Sequence, residues 1–149
     1  AVVKDLPEDW ILVSKYHPLL RQTIEVDDRS LDLSGEDLYA LMHLSTAMVS
    51  DFSSVIFDYS LLQKPMISYV PDLEEYRNTI GLNMPYEADF PGAVTFSEQQ
   101  LVQAVKDLDR YDWKKLDDFR DKYLTHTGGG NTQRVCALID EMMEAGSQA

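Results

Sequence analysis

Short apolar runs alternate with helical patterns through the first half of the chain, the habit of βα units that feed a parallel sheet covered by helices on both faces. Residues 10–16 (WILVSKY) read as a buried strand that stops at His17-Pro18, because proline disfavours continued regular structure. A weaker strand is expected around residues 24–26. Over residues 36–45 the period becomes helical: Leu38, Leu41, Met42 and Ser45 share one face, while Glu36 and His43 lie on the other. Residues 47–50 predict a short strand. Residues 53–63 (SSVIFDYSLLQ) are apolar nearly all round, as expected for a helix pressed between a sheet and a covering layer, and Lys64-Pro65 ends it. Residues 66–70 form another buried strand in this reading. An acidic loop at 72–76 (DLEEY) and a Gly/Pro-punctuated stretch through Pro91-Gly92 follow.

Beyond Val94 the pattern is helical to the end. Ser97 and Gln100 make an S-x-x-Q capping box ahead of Leu101, Val102, Val105 and Leu108. Trp113, Leu116, Phe119 and Tyr123 form the next stripe, and Val135, Leu138, Ile139 and Met142 the last, with Gly128-Gly129-Gly130 between them. The expected fold is therefore α/β: a Rossmann-like parallel sheet with helices on both faces, helical at its C-terminal end. A single domain over residues 1–149 is the natural count, and a chain of that length buries a real core.

Composition narrows the function. The lone cysteine, Cys136, falls in an apolar helical stripe and reads as core filler in a fold that does not depend on oxidation. No apolar run is long enough to span a bilayer, and residues 1–10 lack the order of a signal peptide, so a soluble chain is expected. A formal net charge of -13 disfavours nucleic acid, whose affinity comes from lysines and arginines displacing counterions. It equally disfavours direct contact of this domain with an anionic membrane.

The strongest local chemical signal is Val49-Ser50-Asp51-Phe52-Ser53-Ser54, a strand that ends in a polar turn and opens into a helix. Unpaired N–H groups at a helix start, with two added hydroxyls, bind an anion without needing a lysine. In an open parallel sheet the ligand crevice lies at the carboxyl ends of the strands, where this turn falls. The alternative is that Asp51 or Ser53 is simply an N-cap, the commoner use of such residues. His17 follows another predicted strand on the same edge. It could donate to a phosphate oxygen or neutralise a leaving diphosphate, or be an ordinary loop histidine beside Pro18. His43 reads as solvated and His126 as part of a connector. Carboxylates Asp72, Glu74 and Glu75, after a further strand end, suit a ribose diol, with a solvated acidic loop as the alternative. The triglycine lacks a following Walker lysine and a preceding strand, which excludes a P-loop. The histidines and Cys136 lack zinc-ligand spacing, so no metal and no cofactor are expected.

Residues 37–92 resemble the CDP-glycerol glycerophosphotransferases of teichoic acid synthesis. The resemblance rests on Asp51, Ser53, Ser54, Val55, Phe57, Asp58 and Tyr59 at the helix start and on Leu62, Lys64 and Pro65 before a strand. It continues through Asp72, Leu73, Glu74, Glu75 and Tyr76, the pair Pro91-Gly92, and His17-Pro18. It implies a GT-B architecture of two Rossmann-like domains with the active site between them, this chain resembling the C-terminal, nucleotide-holding one without its opening strand. By the same resemblance, His17 would be catalytic, and His17, Asp51, Ser53 and Ser54 would hold the donor diphosphate. Asp72, Glu74 and Glu75 would hold the ribose or cytosine. A histidine base and the poly(glycerol phosphate) acceptor would belong to the other domain, and the full-length enzyme would be cytoplasmic, peripheral on the inner face of the membrane. The rival expectations are a GT-B transferase using a ribitol phosphate, CMP-sialic acid or UDP-sugar donor, and a noncatalytic flavodoxin-like domain that binds a protein.

Overall fold

Strand β4 (Met66–Tyr69) is the centre of a parallel three-stranded sheet, flanked by β3 (Met48–Ser50) and β5 (Ala93–Thr95). The computed structural model describes residues 2–16 and 28–146. Successive side chains of β4 point to opposite faces, and each face meets its own core. Met66 and, just past the strand, Val70 join Met42, Ile56, Tyr59, Phe90, Leu116 and Phe119 on one side, whereas Ile67 joins Leu6, Leu101, Val102 and Val105 on the other. The first core is covered by α2 (Leu38–Leu44), α3 (Val55–Ser60), α4 (Leu73–Thr79), α5 (Tyr86–Asp89) and α7 (Trp113–Tyr123). The second is covered by α6 (Glu98–Lys106), against which α1 (Val2–Asp5) packs. Helices thus lie on both faces of a parallel sheet, as the alternation of apolar runs requires.

A separate parallel pair, β1 (Leu12–Ser14) and β2 (Ser30–Asp32), joins Leu12 to Ser30 and Ser14 to Asp32 in register. The Arg29 guanidinium fastens it to α1, donating to the carbonyls of Val3, Leu6 and Pro7. The strand expected at 24–26 lies outside the described residues. The second strand of this pair is Ser30–Asp32.

Several expectations change. Residues 72–76 are not a loop: Leu73–Thr79 is helical, because Leu73 is buried against the core and drags the acidic residues into its first turn. Strand β5 carries only three residues, too few to show a period, and it is held by pairing with β4. The capping box is shifted: Ser97 Oγ accepts the Gln100 N–H, but the Gln100 side chain reaches back to the Phe96 N–H. The C-terminal stripe does form a helix, α8 (Asn131–Gly146), yet none of its residues is buried, and Val135, Leu138, Ile139 and Met142 are at least half exposed. Cys136 is accordingly exposed rather than core filler, since nothing among the described residues covers the helix that carries it.

Pro91-Gly92 has a packing reason. A Cβ on Gly92 would stand 1.9 Å from the Met66 carbonyl oxygen and 3.2 Å from the Tyr111 ring, so only glycine lets this turn lie against β4. The Tyr111 hydroxyl closes the turn by donating to the Pro91 carbonyl, and burial pushes its ionisation up to about 12. Burial also raises Tyr59 and Tyr86.

Gly92→Ala is expected to cost about 3 kcal/mol or more, because backbone rather than a flexible side chain must yield; a urea midpoint unchanged from native would contradict this. The stability held by the three neutral phenols is complete below pH ~10 and is lost as pH rises from ~10 through the folded value near 12 of Tyr111. A phenolate absorbance titration is expected to show a late-ionising group that disappears in Tyr111→Phe.

Candidate functional site

Because β3, β4 and β5 run parallel, their carboxyl ends share one edge. After β3 comes the turn Asp51 to Ser54, after β4 comes Asp72 at the head of α4, and after β5 come Phe96 and Ser97.

The serine turn is partly self-capped. Asp51 Oδ1 accepts the Ser53 N–H at 3.1 Å, and Ser53 Oγ accepts the Val55 N–H at 3.3 Å. Neither Asp51 nor Ser53 is the N-cap of α3, although each accepts a backbone N–H two residues on. Ser54, which occupies the N-cap position, makes no capping bond with its side chain. Its N–H and hydroxyl take no partner among the described residues, and Asp51, Ser53 and Ser54 are all exposed. Unspent donors at the start of a helix, on the ligand edge of a parallel sheet, are what an anionic group requires. The helix behind them is shorter than its pattern suggested: it runs over Val55–Ser60, and Gln63 adopts a positive φ of 53° where the chain turns toward β4.

Aromatic side chains tie this turn to the acidic helix. Phe52 stacks on Tyr76 with ring centroids 3.8 Å apart and planes within 16°, and it leans on Tyr86 at 5.6 Å. Phe52 and Tyr76 belong to two segments that the sequence presents separately. Their contact makes the serine turn and α4 one unit.

Along α4, Glu74 pairs with Arg77 at 2.5 Å, and Arg77 also holds Glu87 at 2.5 Å. The carboxylates of Asp72 and Glu75 have no ion pair or hydrogen bond among the described residues. They line, with Pro71, Leu73, Glu74 and Phe96, an open depression of about 290 Å³ at the ends of β4 and β5. Phe96 is 43% exposed there, enough to offer a ring face. Of the three acids expected to meet a sugar, Asp72 and Glu75 are available and Glu74 is engaged.

His17 lies outside the described residues, so its distance from Ser53 and Ser54 is not defined. His43 is exposed, with Nδ1 2.7 Å from the Tyr39 carbonyl, and the His126 carbonyl accepts from Asn131. Among the described residues no three His, Cys, Asp or Glu side chains group as a metal site.

Residues 1–141 match the family described as CDP-Glycerol:Poly(glycerophosphate) glycerophosphotransferase. The chain belongs to this family. It is 35% identical over 143 residues to the teichoic acid ribitol-phosphate primase of Bacillus spizizenii, covering 94% of this chain and 37% of that protein. It is 32% identical over 145 residues to the teichoic acid glycerol-phosphate transferase of Staphylococcus aureus, covering 93% and 37%. Among solved structures, the wall teichoic acid polymerase TagF superposes with a TM-score of 0.79 at 25% identity, over 99% of this chain and 38% of that one. A TagF variant soaked with CDPG superposes equally well, with a TM-score of 0.79. The chain thus spans well under half the length of the relatives it matches, within a GT-B architecture.

Within this chain, one motif residue turns out to be structural. Lys64 Nζ donates to the carbonyls of Met42, His43 and Ser45 at 3.2, 2.5 and 2.7 Å, closing the C-terminal end of α2, where a cation opposes the helix dipole. Lys64→Met is expected to cost about 2 kcal/mol in urea unfolding, from the loss of charged hydrogen bonds. Glu75→Gln is expected to stay within about 0.5 kcal/mol of native, as a surface change does. Equal losses in both would contradict the division between a structural lysine and a free acid.

Proposed function

We propose that this chain is the donor-binding domain of a CDP-glycerol:poly(glycerophosphate) glycerophosphotransferase acting in teichoic acid synthesis, and that it is one part of a larger two-domain enzyme. The observation that carries the reading is the pair of exposed serines with unspent donors at the head of α3, in a chain of this family. The donor diphosphate lies against Ser53 and Ser54 and faces His17. The nucleoside reaches the depression of Asp72, Glu75 and Phe96, whose carboxylates accept hydrogen bonds from a ribose diol or a cytosine amino group.

In the reaction, the terminal hydroxyl of the acceptor chain loses its proton to a base supplied by the second domain, and its oxygen bonds to the β-phosphorus. The bond from that phosphorus to the bridging oxygen breaks, and CMP departs with the electron pair. His17 and the serine turn stabilise the charge that gathers on the diphosphate. Positioning supplies much of the acceleration in phosphoryl chemistry, so the domain alone binds donor weakly and turns it over negligibly. No described helix is long and apolar enough to cross a membrane. A cytoplasmic enzyme, peripheral on the inner face of the membrane, accords with that.

Ribitol phosphate is the second reading, favoured by the 35% identity to a ribitol-phosphate primase against 32% to a glycerol-phosphate transferase. Thermal shift and calorimetric titration with CDP-glycerol, CDP-ribitol and UDP-sugars separate the alternatives, because a ligand of the native state raises the melting temperature. A CDP-linked polyol is expected to stabilise the chain, and His17→Ala and Ser54→Ala to weaken its binding about tenfold each. Tight binding of a UDP-sugar with no response to either CDP compound would overturn the assignment.

A further inference from the structure

A buried line of hydroxyls runs beneath the carboxyl edge from β5 to the serine turn. Thr95 Oγ1 donates to the Ser68 carbonyl at 2.6 Å, Ser68 Oγ meets the Tyr86 hydroxyl at 2.9 Å, and that hydroxyl donates to the Asp51 carbonyl at 2.6 Å. Tyr86 has a single hydroxyl proton, which is spent on Asp51, so Ser68 must be the donor to Tyr86. Thr95, Ser68 and Tyr86 are buried, with Ser68 completely so, which excludes water as a competing partner, and the bond Tyr86 accepts from Ser68 strengthens the one it donates to Asp51. The Tyr86 ring makes tilted contacts with Phe52 and Phe90, at centroid distances of 5.6 and 5.5 Å. Its oxygen therefore anchors the peptide that precedes Phe52, Ser53 and Ser54.

We propose that Tyr86 is a positioning residue for the donor phosphates: its hydroxyl, locked by Ser68, holds the Asp51 carbonyl and so aims the Ser53 and Ser54 donors outward from the edge. It does not touch the donor. This role rests on the proposed function of the serine turn. Without the hydroxyl, the turn keeps its self-capping bonds but loses the tie to β4. It then samples orientations in which the serine donors no longer converge, and only the converged fraction binds.

The test compares three variants of the whole chain. Tyr86→Phe removes the hydroxyl and keeps the ring. Ser68→Ala removes the lock and leaves the Tyr86 to Asp51 bond possible. Ser68→Ala/Tyr86→Phe removes both, so that no buried hydroxyl is left without a partner and the fold is spared. Each is titrated with CDP-glycerol, alongside the native chain and a Ser53→Ala/Ser54→Ala control, and amide exchange at Phe52, Ser53 and Ser54 is followed without ligand. The expected result is a Kd raised about fivefold in both variants that lack the Tyr86 hydroxyl, with faster exchange at the Ser53 amide, whose N–H Asp51 holds, and a nearly native Kd in Ser68→Ala. A purely structural hydroxyl would lower the melting temperature in all three variants and leave Kd alone. That outcome, with binding lost only in the serine control, overturns the role of Tyr86 and leaves the serine site standing. A native chain that ignores CDP-glycerol overturns the serine site itself, and this role with it.

Discussion

The close approach of the Pro91-Gly92 turn to the first residue of β4 is the constraint on which the rest of this structure leans. It brings β5 alongside β4, and β4 in turn divides two cores, with Met66 and Val70 facing one and Ile67 the other. A side chain at position 92 would have to displace backbone, not merely a rotamer. Everything that makes the carboxyl edge the proposed site follows from that sheet. Ser68 lies opposite Ser50 and Val94 in register, so the ends of the three strands come level, and the turns beyond them face the same solvent.

On that edge, polar and aromatic contacts have different duties. The aromatic stack of Phe52 on Tyr76 joins the serine turn to α4, giving the phosphate and nucleoside ends of the proposed donor site a shared footing. Hydrogen bonds set direction, through Asp51 and Ser53 within the turn and Tyr86 beneath it. Lys64, which sits in the same family motif as the serines, spends its charge on the carbonyls at the end of α2 and contributes to the frame alone. A motif, in other words, mixes exposed residues with unspent donors and residues that hold the chain.

The helix α8 shows how far a hydrophobic period can be taken. Val135, Leu138, Ile139 and Met142 do line one side of a helix, yet that side is exposed, and Cys136 with it. Periodicity reports which side of a helix is apolar. It does not report what covers it, which is a matter of contacts made by the rest of the molecule.

By itself the sequence determined the alternation of strands and helices, the parallel α/β class, the capping serine at 97 and the polar turn at Asp51 to Ser54. All of these are written in neighbouring residues, through side-chain period, proline and local hydrogen bonding. It also carried the family motifs, since those are strings. What only the tertiary structure decided spans distance along the chain: the helical state of the acidic segment, β5, the engagement of Glu74 by an arginine that also holds Glu87, and the reach of Tyr86 to Asp51. Such contacts leave no period behind. They arise when packing at the sheet brings separate segments to one edge, and there the burial of Leu73 and Tyr86 outweighs what their neighbours alone would choose.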